Sequence, residues 1–89
     1  MISKEVLIIN KLGLHARAAA KFVTLASEFA SDIYVARGNK KVNGKSIMGV
    51  MMLAASKGTT IEITVDGSDE QIAITRLEEL VDQRFGEEE

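Results

Sequence analysis

Gly13-Leu14-His15-Ala16-Arg17 places the only histidine of the chain two residues before an arginine, where helix-forming sequence begins. The run Ala18-Ala19-Ala20-Lys21-Phe22-Val23 favours a helix, yet no Ser, Thr, Asp or Asn immediately precedes it as a cap. His15 is therefore expected to take the cap position, with Gly13 supplying backbone freedom for the turn. The amides of a first helical turn lack carbonyl partners, so those of Ala16 and Arg17 can receive an anion, and the Arg17 side chain adds a cation. A neutral imidazole is a competent nucleophile. Together these groups point to phosphoryl chemistry.

The helix dipole disfavours a protonated ring but attracts a phosphoryl group once it is attached. That attraction is about 0.3–1 kcal/mol, rising to ~2 kcal/mol when partly buried. A charge-assisted bond from Arg17 adds about 1.5–3 kcal/mol. Such sums hold a group without trapping it, which suits a carrier. The residues leave open the plainer reading, a histidine that only caps a helix or sits on the surface. No nucleophile elbow of the Gly-x-Ser-x-Gly kind is present, and spacing identifies no partner for general acid–base work.

A second motif is Gly44-Lys45-Ser46-Ile47-Met48-Gly49. It resembles the end of a P-loop, but that loop needs glycine at position 39, which is Asn39; Gly38 misses by one. Ser46 is expected to cap a helix. A phosphate there would be tolerated by the helix and would set charge beside apolar surface, so Ser46 can be both cap and switch. The apolar residues from Ile47 to Leu53 cover too much of a short helix to be buried on one stripe. Ile47, Met48 and Met51 are therefore expected to form an exposed docking patch.

The elements that must position these groups follow from periodicity. Val6-Leu7-Ile8-Ile9 predicts a strand, Asn10 to Leu14 a loop, and residues 16–29 a helix with Ala19, Phe22, Val23, Ala26 and Phe29 inward. Ile33 and Val35 alternate as in a strand, Gly38-Asn39 predicts a turn, and residues 40–43 a return strand with a lysine-charged edge. The second helix is expected from Ser46 to about Lys57, stopped by Gly58. Residues 60–66 alternate cleanly as a strand. Ser68-Asp69-Glu70-Gln71 has the form of a capping box for a last helix bearing Ala73, Leu77, Leu80 and Val81 and stopping near Gly86. Glu87-Glu88-Glu89 reads as a solvated tail. The order βαββαβα predicts an α+β open-faced sandwich, with a four-stranded, mainly antiparallel sheet and three helices on one face.

With 89 residues, 46% of them hydrophobic, the chain is expected to form a single domain spanning 1–89. A net charge of −2, one Tyr, three Phe and no Trp argue against nucleic-acid binding. The lack of cysteine, with one histidine, leaves no expectation of a metal site or thiol chemistry. Nothing reads as a signal peptide or membrane span, so the expected location is the cytoplasm.

The two motifs in register, Gly13 to Arg17 and Asn43-Gly44-Lys45-Ser46-Ile47-Met48-Gly49-Val50-Met51, resemble the HPr/NPr family of histidine-containing phosphocarriers of the bacterial phosphotransferase system. The resemblance spans essentially the whole chain. It implies that His15 accepts a phosphoryl group at Nδ1 from enzyme I and passes it to an enzyme IIA protein, with Arg17 stabilising the group. The chain would be a monomeric transfer intermediate rather than a free-standing catalyst, needing no cofactor. The resemblance further implies that Ser46 is the site of a regulatory serine kinase and phosphorylase, and that Ile47 and Met48 belong to the partner-binding surface. Family members commonly carry proline after the arginine; here it is Ala18, which leaves open a nitrogen-related regulatory branch. A regulatory interaction module signalling mainly through Ser46 is the alternative from another class.

Overall fold

The computed structural model describes residues 1–89. Its sheet has strand order β1-β4-β2-β3, formed by β1 (Ile2–Leu7), β2 (Asp32–Arg37), β3 (Lys40–Asn43) and β4 (Thr60–Asp66). All three pairings are antiparallel. The helices are α1 (Ala16–Ala26), α2 (Ile47–Met52) and α3 (Glu70–Asp82), followed by a 3-10 turn at Arg84–Gly86. This is the open-faced α+β sandwich expected from the element order. No helix is long and apolar enough to cross a membrane.

Register explains the burial. Val6 lies opposite Ile61, and Ile33 and Val35 lie opposite Val65 and Ile63, so one face carries the β-branched residues. That face meets Phe22, Ala19 and Val23 of α1, Val50 of α2, and Ala73, Ile74, Leu77 and Val81 of α3 in one apolar cluster. The other face carries Ser3, Glu5, Glu62, Tyr34 and Lys41, as the two-residue period requires. The lysine-bearing strand β3 is indeed an edge.

Several boundaries differ from those expected. The first strand runs over residues 2–7 rather than 6–9, because β4 offers seven residues for pairing and recruits the polar Ser3-Lys4-Glu5 segment. Helix α1 stops at Ala26, before Phe29, because the Asp69 carboxylate draws the chain away toward β2. It accepts from the Ala30 amide at 2.8 Å, the Ser31 amide at 3.0 Å, and the Ser31 hydroxyl. Helix α2 ends well before Gly58. Leu53 is buried, the Arg37 guanidinium donates to its carbonyl at 2.9 Å, and Ala54 turns left-handed at φ 51°. The capping box does not form: Asp69 is the N-cap, but its side chain is committed to residues 30 and 31. Glu70 instead accepts from the Gly67 amide at 3.3 Å.

Asp69 thus ties the start of α3 to the entry of β2. Its hydrogen bond from Ser31, then that from the Ala30 amide, holds its carboxyl below the ordinary 3.8. The depressed carboxylate contributes stability that is present above that ordinary value and lost as pH falls through the lowered one. Equilibrium unfolding measured across acid pH is expected to show Asp69→Asn less stable than wild type at neutral pH. The gap should narrow as the pH drops below 3.8.

Candidate functional site

His15 is the N-cap of α1, in an extended backbone conformation with φ −73° and ψ 179°. Its carbonyl accepts the first helical bond, from Ala19 at 2.8 Å. Its side chain makes no capping bond, so the ring is not spent on the helix. The turn that delivers it is pinned from below. Gly13 is left-handed at φ 65°, and a Cβ there would stand 2.5 Å from the Ala55 carbonyl oxygen and 2.8 Å from the Ser56 Cα. The Leu14 amide donates to that same Ala55 carbonyl at 2.9 Å, and Leu14 is buried. The histidine loop is therefore stitched to the segment that leaves α2.

Above the turn lies an open cleft of about 640 Å³, lined by Lys11, Leu12, His15, Ala16, Arg17 and Glu87 to Glu89. Arg17 and Ala16 are exposed there, and the His15 side chain is 28% exposed. The amides of Ala16 and Arg17 belong to the first turn and have no upstream carbonyl within the helix. A partly accessible imidazole, two such amides and a free guanidinium suit a transiently attached anion.

Glu88 and Glu89 are exposed, as expected of a solvated tail, but Glu87 is not part of one. Glu87 is folded onto the histidine, with Oε2 2.5 Å from the His15 Nε2, and its side chain is only 16% exposed. Its other oxygen, Oε1, accepts from the Asn10 Nδ2 at 3.0 Å, and the same Nδ2 donates to the Gly13 carbonyl at 2.8 Å. Lys21 holds the preceding turn through the Phe85 carbonyl at 2.7 Å, and Lys11 bonds Glu89 through its amide and lies 3.6 Å from its carboxylate. Burial opposes ionisation of Glu87, but the hydrogen bonds from Asn10 and His15 and the nearby Lys21 charge outweigh it, keeping the carboxyl below the usual glutamate value. Sequence reasoning missed Asn10 and Glu87. The only signal was Phe85, an aromatic residue two positions before the glutamates; its complete burial is what returns the chain to the site.

Ser46 caps α2 as expected, its hydroxyl accepting from the Gly49 amide at 3.1 Å. Its neighbours are exposed: Ile47 at 44%, Met48 at 72% and Met51 at 39%, joined by Met52 at 68%. Val50 and Leu53 fill the core behind them. None of Ser46, Ile47, Met48 or Met51 lines the His15 cleft. The two motifs share a fold, not a pocket.

The fold and site define a small open-faced sandwich that presents one histidine at a helix start. A sequence model of the family described as "PTS HPr component phosphorylation site" matches residues 2–83. Phosphocarrier protein HPr of Neisseria meningitidis serogroup A is 54% identical over 89 residues, covering all of both chains. That of Cupriavidus necator is 52% identical over the same length, again in full. The crystal structure of HPr from Thermoanaerobacter tengcongensis superimposes with a TM-score of 0.96 at 49% identity, covering both chains completely. A crystal structure of HPr from Bacillus anthracis gives 0.84 at 45% identity, over 88% of this chain and 93% of that one. The chain belongs to the HPr family of phosphotransferase-system phosphocarriers.

Two substitutions probe how the site is held. Gly13→Ala combines left-handed strain, about 1–3 kcal/mol, with a backbone collision, and should lower the denaturant midpoint and shift the His15 ring resonances. Ser46→Ala should cost about 1 kcal/mol of unfolding free energy through the lost cap, leaving those resonances in place.

Proposed function

We propose that the chain receives a phosphoryl group on His15 from enzyme I of the phosphotransferase system and delivers it to an enzyme IIA protein. The observation that carries this reading is His15 at the head of α1, with a ring free of capping duty, in a cleft shared with Arg17. Arg17 and the amides of Ala16 and Arg17 stabilise the attached group. The exposed Ile47, Met48 and Met51 support a docking surface on the neighbouring helix, where flexible methionines can fit more than one partner. The single 89-residue domain then acts as a relay of phosphoryl groups between proteins.

A second, compatible role concerns Ser46. Its hydroxyl stands beside Ile47 and Met48, so a phosphate placed there by a serine kinase would bring charge to the rim of that apolar patch. Docking would weaken without any change at the histidine. Ala18 replaces the proline common at that position and is buried in α1. This substitution motivates testing both sugar-type and nitrogen-type enzyme I as donor.

Incubation with labelled phosphoenolpyruvate and either enzyme I should place acid-labile, alkali-stable phosphate on the wild type and none on His15→Ala. Label on His15→Ala would end the carrier reading. Arg17→Ala should slow transfer about tenfold to a hundredfold, the rate equivalent of one charge-assisted hydrogen bond. Ser46→Asp should weaken association with enzyme I and enzyme IIA, while His15 remains phosphorylated at high enzyme I concentration.

A further inference from the structure

We propose that Glu87 is a positioning residue for His15: it holds the proton on Nε2, so that the neutral ring presents a bare lone pair at Nδ1. The proposal rests on the carrier reading for the use made of that lone pair, and on this structure for the proton itself.

An ionised carboxylate can only accept hydrogen bonds. Glu87 Oε2 lies 2.5 Å from the His15 Nε2, so the hydrogen between them belongs to the ring nitrogen. A neutral imidazole carries one proton; with Nε2 protonated, Nδ1 is the nucleophilic nitrogen. The ring makes no capping bond to α1 that would compete for it. The carboxylate is itself oriented, because Asn10 donates to its second oxygen at 3.0 Å. Asn10 is buried, and the same amide is tied to the Gly13 carbonyl at 2.8 Å, the residue whose turn delivers His15. Asn10, Glu87 and His15 thus form a chain of hydrogen bonds running from the core to the cleft. The arrangement is that of a histidine whose second nitrogen is anchored by a carboxylate, which fixes the tautomer and the ring orientation.

The transfer step balances without another group. The Nδ1 lone pair attacks the phosphorus of a phosphorylated nitrogen on the donor protein. The Nδ1–P bond forms as the donor N–P bond breaks, and the electron pair returns to the donor nitrogen. The Nε2 proton stays in place, so the phosphorylated ring is cationic and lies against the Glu87 carboxylate. The reverse step toward an acceptor restores the neutral ring with the same tautomer. Glu87 touches neither phosphorus nor its oxygens; it acts through the ring.

The full chain labelled with 15N-histidine, compared with Glu87→Ala and Glu87→Gln, tests this by NMR in alkaline buffer. Removing the Glu87 side chain leaves Asn10 its bond to Gly13 and leaves the buried Phe85 in place, so the fold is retained. Wild type is expected to show essentially only the Nε2–H tautomer, with a downfield, slowly exchanging ring proton. Both variants should lose that proton signal and show a tautomer mixture. Their rate of phosphorylation by phosphorylated enzyme I should fall about tenfold or more. Unchanged ring signals in both variants, or transfer as fast as or faster than wild type, would overturn the proposal. The spectrum needs no phosphoryl donor. A wild type that takes no label refutes the carrier reading, while the ring signals still decide the role of Glu87.

Discussion

The close approach of Gly13 to the backbone at Ala55 and Ser56 is the constraint on which the site depends. There is no space there for a side chain, and the left-handed turn that results is one that glycine adopts at no steric cost. The turn buries Leu14, bonds its amide to Ala55, and leaves His15 in the extended conformation of an N-cap. Without that turn the first helix could still form, since its propensity is local. Its first residue would then not be held over the cleft.

Charge around the ring is balanced rather than uniformly positive. Arg17, Lys11 and the dipole of α1 favour an anion, whereas Glu87, Glu88 and Glu89 bring carboxylates to the same cleft. A carrier has to give up its cargo, and a purely cationic cradle would oppose release. The hydrogen bonds at Glu87 tie one of these carboxylates to the imidazole and to Asn10. The core and the site are thereby coupled, because Asn10 is buried beneath the turn it supports.

Helix α2 answers a different physical demand. Only Val50 within it is buried, and Leu53 beyond it completes the contact, so Ile47, Met48, Met51 and Met52 remain in solvent. The early stop at Ala54 follows from Arg37 claiming the Leu53 carbonyl. The same segment then receives the Gly13 turn, so α2 positions both the apolar patch and, through its exit, the histidine loop.

The residues alone determined the alternation of β4, the turn at Gly38-Asn39, the Ser46 cap and the placement of His15 at a helix start. Each depends on neighbours within a few positions, where propensity and period speak directly. They also carried the two motifs whose joint spacing marks the family. Only the tertiary structure decided where α1 and α2 end, because Asp69 and Arg37 supply the bonds that stop them from 39 and 16 residues away. It likewise decided that Glu87 reaches His15 across 72 positions, brought there by the burial of Phe85. A run of three glutamates looks solvated because charged side chains are costly to bury unpaired. The partners that remove that cost for Glu87 lie at the far end of the chain, and no local pattern encodes them.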